Sequence, residues 1–327
     1  MPIISDKIGS TDIEQVPTRN GFGEGLVELG DKHPEVVVLT GDLSESTRAQ
    51  AFQKKYPERF VEVGVAEQNM MGLAAGLALS GKTAFVTSYG TFSPGRNWDQ
   101  LRVSVVYSNA NVKIAGAHTG VSVGPDGATH QALEDVAMTR ALPDLTVVVP
   151  CDYLETKKAT IALGEMQGPA YFRFTREKTP VFTTSETPFK VGVAYLMRDG
   201  SDVAIIGAGP ILYNALLAAQ DLEKEGISVL VLNSHTVKPI DDSAIKEAAQ
   251  KCGAVVTVEE HQVSGGIGSA ICESLAKNYP VPVEMIGMQD TFGESGEPEQ
   301  LIEKYGMSKD AIIKAVKKVI TRKGKNA

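Results

Sequence analysis

Val36-Val37-Val38-Leu39 leads, one residue later, into Gly41-Asp42-Leu43-Ser44: a short strand apolar at every position that empties into a polar loop. A strand without polar alternation is buried on both faces, as in a parallel sheet covered by helices. The same unit recurs downstream. Arg59-Phe60-Val61-Glu62-Val63 leads into Gly64-Val65-Ala66-Glu67-Gln68, and Ala84-Phe85-Val86-Thr87 into Ser88-Tyr89-Gly90-Thr91-Phe92. Val112-Lys113-Ile114-Ala115 is followed by Ala117-His118-Thr119-Gly120, and Thr146-Val147-Val148-Val149 and Tyr171-Phe172-Arg173-Phe174 complete the series. Helical patterns over 69–79 and 130–142 lie between these strands. Such alternation predicts an α/β doubly wound domain.

A second series begins after a segment rich in proline, threonine and serine, Arg176 to Pro188, which reads as a linker. Its strands are 202–206, 228–232, 254–258 and 282–286, with helices expected over 211–224, 243–251 and 267–278. The predicted organisation is two doubly wound domains, 15–178 and 191–327, joined by a linker at 179–190. Ligands of open α/β sheets bind beyond the carboxyl ends of the strands. Titratable groups concentrate there in the first domain, so the site is expected mainly in that domain.

A chain of 327 residues has room for two such cores. Lys plus Arg number 32 against 40 Asp plus Glu, a formal net charge of −8, which argues against a nucleic-acid or anionic-membrane surface. No apolar run approaches the roughly 20 residues of a membrane span. The opening residues lack the basic start and apolar stretch of a signal peptide. Cys151, Cys252 and Cys272 are too few and too scattered for a disulfide framework or a zinc site. A reducing cytoplasm is the expected compartment.

Two of the five histidines fall in one Gly-rich stretch, from His118 through Asp126 to His130, that leaves a strand and is expected to enter a helix near His130. Two imidazoles and a carboxylate there suit hydrogen bonding to a polyol or phosphate and proton movement. A loop held by Asp126 turn bonds and by Thr129 as a helix cap fits the same residues. Glu67 opens the apolar helix that runs from Met70 to Leu79. Against methyl and thioether surface its pKa would rise, which suits proton transfer; an acid at a helix N-terminus is the plainer alternative. Asp42 reads either as a ligand-facing acid or as a helix N-cap. Gly265-Gly266-Ile267-Gly268 and Gly207-Ala208-Gly209 lack the spacing of a dinucleotide loop and read as tight strand–helix turns.

Taken in order, four segments carry more than any one of them. Gly41-Asp42-Leu43, Gly64-Val65-Ala66-Glu67, Pro125-Asp126-Gly127-Ala128-Thr129-His130-Gln131 and Phe292-Gly293-Glu294-Ser295-Gly296 together resemble the C-terminal half of transketolase, a thiamine-diphosphate enzyme. The resemblance runs from about residue 15 to the end. It implies a pyrimidine-binding domain followed by the family's C-terminal domain. It also implies transfer of a two-carbon ketol unit from a ketose phosphate to an aldose phosphate, as in the pentose phosphate pathway.

By that resemblance Glu67 is the glutamate that shares a proton with the cofactor's aminopyrimidine and so activates the thiazolium carbon. Glu67 and His130 are then the catalytic residues. His118 and Asp126 join Arg19, Ser46 and Arg176 as substrate contacts, the arginines and the hydroxyl facing the sugar phosphate. Asp42, Phe92 and Trp98 join Glu67 at the cofactor. Ser93-Pro94-Gly95-Arg96 replaces part of a more aromatic segment, which leaves both Phe92 and Trp98 as candidates for the stacking ring. The family holds Mg²⁺ through Gly-Asp-Gly and a later Asn, and this chain has neither in context. The expectation is half an enzyme that dimerises through its own domains. Its metal ligands would lie on a separate N-terminal subunit, in a two-plus-two heterotetramer. The alternatives are a subunit of a 2-oxoacid-decarboxylating relative, such as deoxyxylulose-phosphate synthase or a dehydrogenase E1 β-subunit, and a non-catalytic regulatory paralogue.

Overall fold

In the computed structural model, which describes residues 3–323, the apolar runs are strands. In chain order they are β1 (Gln15–Pro17), β2 (Val36–Thr40), β3 (Phe60–Glu62), β4 (Thr83–Tyr89), β5 (Val112–Ala117), β6 (Thr146–Val148) and β7 (Ala170–Arg173). There follow β8 (Lys178–Pro180), β9 (Tyr195–Arg198), β10 (Val203–Gly207), β11 (Val229–Asn233), β12 (Thr236–Lys238), β13 (Val255–Gln262) and β14 (Val283–Met288). Every residue of β2, β5, β10 and β11 is buried, as strands covered on both faces must be. The first sheet has the order β12-β6-β7-β5-β4-β2-β3 and the second the order β14-β13-β10-β11-β9. Their inner pairings are parallel, and only the edges β12 on β6 and β9 on β11 run antiparallel. Two largely parallel sheets with helical crossovers make the α/β class that the alternation predicts.

Three features depart from the sequence reading. Residues 178–180, in the stretch read as linker, form β8, which pairs with β1 in a two-stranded ribbon. β12 follows β11 of the second sheet yet crosses to the first, where it pairs with β6. The helix expected over 130–142 spans only Asp135–Arg140. The carbonyl of Ala132 is already taken by Gly120 N–H and by Arg173 Nη2, and Thr119 bridges Ala132. A backbone used this way cannot also enter a helix. Thr129 is therefore no helix cap; its hydroxyl meets His130 Nδ1 at 2.9 Å.

The two sheets share a core. Val86, Val147 and Tyr171 of the first part belong to one continuous buried cluster with Ala204, Ile206 and Leu230 of the second. Polar groups pin the seam. Asp152 caps the helix Tyr153–Glu165 by accepting from Glu155 N–H, and also accepts from the Phe182 and Thr183 amides of the connecting segment. Glu155 accepts from Cys151 N–H and Asn233 Nδ2, and burial pushes its carboxyl up to about 7. Among the described residues no helix is long and apolar enough to cross a membrane.

Candidate functional site

Because β2, β3, β4, β5 and β7 run parallel, their carboxyl ends share one edge of the first sheet. The loops that leave them bring most of the expected residues together. Glu67 is the first residue of the helix Glu67–Leu79, whose buried positions 67, 70, 71, 74 and 75 follow the period of an amphipathic helix. That spacing places Glu67 on the buried face, where it is 1% exposed. Its surroundings differ from the apolar ones expected. Ser88 Oγ donates to Oε1 at 3.1 Å, Arg96 Nη1 donates to Oε2 at 2.6 Å, and Asn97 Nδ2 reaches the Glu67 carbonyl at 3.4 Å. Gly41 approaches the same carboxylate at the end of β2. Next to it Asp42 takes a positive φ of 61° and donates its amide to Glu62 Oε1 at 2.8 Å, so it caps no helix.

Beside Glu67 lies a group of four rings. Tyr89 stacks on His118, centroids 4.1 Å apart, and faces Phe92 at 6.1 Å. His130 meets Tyr89 and Phe92 edge-on, at 5.9 and 5.4 Å. The guanidinium of Arg96 lies over the Phe92 ring, 4.6 Å from its centroid, which joins this group to Glu67. Trp98 is the candidate ring that does not fit: it packs against the core below. His118 is buried, with φ +54° and an Nδ1 that finds no partner. Burial, together with the charges of Arg19, Arg176, His130 and Arg48, lowers its pKa to about 3, so it acts as a neutral imidazole.

Those arginines form the third part. Thr18 Oγ1 bonds Thr175 Oγ1 at 3.0 Å, which seats the start of the helix Thr18–Lys32 beside the end of β7 and brings Arg19 near Arg176. Arg19 Nη1 donates to the Ser46 carbonyl at 2.8 Å, so Ser46 contributes its backbone here. Arg19 Nε is buried without a partner. Burial and the neighbouring Arg48 and Arg176 charges push the Arg19 guanidinium below its ordinary value. Arg48 is steered by Asn20 Oδ1 at 3.0 Å, and Arg176 pairs with Asp126 at 2.9 Å. Asp126 thus spends its carboxylate on Arg176 rather than on a turn. Sequence reasoning missed Arg48, Arg96, Tyr89 and Ser88.

The second sheet supports the loop from below. Gln131 Nε2 donates to Val121 O at 3.0 Å and to Glu294 O at 2.9 Å, so the Asp126–Gln131 and Phe292–Gly296 segments meet. A Cβ on Gly293 would strike the Gln131 amide. Glu260, half-buried, accepts from Ser122 N–H at 2.6 Å. At the Gly265–Gly268 turn the amides of Ile267 and Gly268 are taken by Glu259, at 2.8 and 2.9 Å, and burial pushes that carboxyl up to about 8. The helix N-terminus is filled by the chain itself, as a tight turn requires.

The donor set suits a flat amino-bearing heterocycle. It combines the buried Glu67 carboxylate with the ring faces of Tyr89, Phe92, His118 and His130, and the partnerless buried oxygens of Thr91 and Asn97 lie in the segment that carries Phe92 and Arg96. Among the described residues no group of three His, Cys, Asp or Glu side chains is placed to hold a metal ion.

Comparison with known proteins agrees with this arrangement. The transketolase pyrimidine-binding-domain model matches residues 14–181, and the transketolase C-terminal-domain model matches residues 192–312. A putative transketolase C-terminal section from Methanocaldococcus jannaschii is 42% identical over 91% of this chain and 94% of its own length. A 6-deoxy-6-sulfo-D-fructose transketolase subunit from Clostridium sp. is 39% identical over 95% of this chain and 97% of its own. A solved structure described as a split gene transketolase, inactive beta4 tetramer, is 43% identical with a TM-score of 0.88, covering 94% of this chain and 99% of that one. The chain belongs to the transketolase family of thiamine-diphosphate enzymes. It corresponds to the C-terminal section, spanning nearly the whole length of some relatives and about half the length of others, such as the mouse transketolase-like protein 2 at 49%.

Proposed function

We propose that this chain is the C-terminal subunit of a split transketolase. It would complete a thiamine-diphosphate site with an N-terminal subunit and transfer a two-carbon ketol unit from a ketose phosphate to an aldose phosphate. The observation that carries this reading is the alignment of three groups along one sheet edge: the buried Glu67 carboxylate, the ring group of Tyr89, Phe92, His118 and His130, and the guanidinium cluster of Arg19, Arg48 and Arg176. When bound, the cofactor supplies the electron sink that cleavage beside a ketose carbonyl requires. Glu67 would hold the aminopyrimidine at its carboxylate, with Phe92 and Tyr89 against the ring. Asp42 is kept at the cofactor only as the neighbour of Gly41, whose backbone approaches the Glu67 carboxylate. Neutral His118 offers its free Nδ1 to a sugar oxygen, while His130 holds or moves a proton near the carbonyl. The arginines fix the anionic end of the sugar away from the reacting carbons, with Asp126 orienting Arg176. A relative named for a sulfo-sugar acts on a ketose that also ends in an anion, which supports this placing.

The metal ligands are assigned to the partner subunit. Val65, Leu73, Leu79, Val103 and Tyr107 are exposed on and around the outer face of the helix Glu67–Leu79, and Gly72 and Gly76 leave that face open. An apolar patch of this kind supports self-association through the first domain and a two-plus-two assembly. The test is a mixture of the purified chain with an N-terminal subunit bearing Gly-Asp-Gly, supplied with thiamine diphosphate and Mg²⁺. Ketol transfer from xylulose 5-phosphate is expected. Turnover of pyruvate with none of xylulose 5-phosphate would contradict the reading, as would no gain over the partner alone.

A further inference from the structure

Arg96 makes two contacts at once, one to the Glu67 carboxylate at 2.6 Å and one over the Phe92 ring at 4.6 Å. A planar, delocalised, N–H-bearing group set against that carboxylate and that ring face does what an aminopyrimidine would do there. We propose that in the cofactor-free chain Arg96 is a stand-in for the cofactor's aminopyrimidine and must leave before the ring can bind. The inference rests on the pyrimidine subsite assigned above and adds a competing internal ligand to it.

Two observations support it, and a third gives it a reporter. Glu67 is buried, and Ser88 satisfies only Oε1, so Oε2 of the free chain depends on Arg96. A buried carboxylate without a partner is costly, which gives the substitute a reason to be there. The Arg96 side chain itself is 46% exposed, so it sits at the mouth and has solvent to swing into. Finally, Arg96 lies in the turn 93–97, which joins the ring group to the helix Trp98–Gln100; Trp98 is the chain's single tryptophan and hence an optical reporter for that turn.

The test uses the full chain and two probes, 4-amino-5-hydroxymethyl-2-methylpyrimidine and thiamine diphosphate, titrated against Trp98 fluorescence and the Arg96 side-chain Nε–H resonance in a ¹⁵N NMR spectrum. Arg96→Ala and Arg96→Gln are expected to bind the pyrimidine roughly tenfold more tightly than the unmodified chain, the factor released when a charge-assisted competitor is removed. In the unmodified chain the Arg96 resonance should shift as the pyrimidine saturates. The cofactor-free Arg96→Ala chain should melt earlier than the unmodified one, and the gap should close when the pyrimidine is bound. Equal affinity in all three forms, including none in any, overturns the stand-in, and so does weaker binding by the variants, which would make Arg96 a ligand contact. Glu67→Gln separates the two levels: pyrimidine affinity unchanged by that substitution would overturn the subsite itself.

Discussion

Glu67→Gln keeps the volume and the Ser88 contact of the side chain but cannot share a proton as the acid does. Turnover of the assembled enzyme is expected to fall on the order of 10²–10⁴-fold with the fold intact, the usual scale of acid–base catalysis. Steady-state kinetics beside a circular-dichroism melt would check both halves; turnover like that of the unmodified enzyme would contradict the role. Arg19→Ala, Arg48→Ala and Arg176→Ala remove a charge remote from the reacting carbons. Each should raise KM for a phosphorylated donor by about 1.5–3 kcal/mol in binding terms and leave hydroxypyruvate little affected. Arg176 shares its charge with Asp126 and is partly solvated, so its effect should be the smallest of the three. Equal losses for both donors would remove the phosphate assignment. Glu67 was legible in the sequence because strand, loop and helix start are local and the helical period fixes its face. Arg48 was not, because its convergence with Arg19 and Arg176 depends on helix packing across 28 residues and more. Arg96 stood in plain view as the residue replacing aromatic ones, but nothing local shows which ring or acid it meets.

Elements tell the same story at longer range. The strands were readable because strands buried on both faces are written as uninterrupted apolar runs. β12 was not, since three residues carry no period, and its place in the other sheet is set by the seam. His235 sits at that seam: its carbonyl accepts from Val149 N–H at 2.7 Å, its ring stacks on Phe189, and its Nε2 is buried without a partner. Burial lowers its pKa from 6.5 to about 4. The unfolded chain therefore takes up this proton first as pH falls. Stability is present above pH 6.5 and is lost between 6.5 and about 4, by at most about 3 kcal/mol for this one group. His235→Gln should flatten that part of the profile. Urea midpoints at pH 7 and pH 4.5 for the two proteins measure it, and parallel losses in both would show that the group does not couple to folding. The helix expected from 130 failed for a physical reason visible only in three dimensions: the Ala132 carbonyl serves Gly120 and Arg173, and Gln131 is spent on the other domain.

The whole molecule presents an open apolar face. Leu73 is 42% exposed and Tyr107 89% exposed on that face, so Leu73→Asp should leave the fold stable while shifting the chain to smaller species in sedimentation. An unchanged distribution would place self-association elsewhere. The two-domain α/β plan could be read from the order of its segments, because three of the family's four motifs fall in loops that one edge of the first sheet gathers and the fourth, 292–296, follows β14 of the second. The shared core and the crossing strand could not, because they follow from docking of the domains. On the proposed function, this chain holds the pyrimidine side of the cofactor and its partner subunit the metal–diphosphate side. Ligand that binds only the assembled form also tightens the assembly. Calorimetric titration of thiamine diphosphate with Mg²⁺, into the chain alone and into its mixture with a Gly-Asp-Gly-bearing N-terminal subunit, tests the claim most directly. Weak binding alone and tight binding in the mixture are predicted; tight binding with full ketol transfer by this chain alone would contradict it.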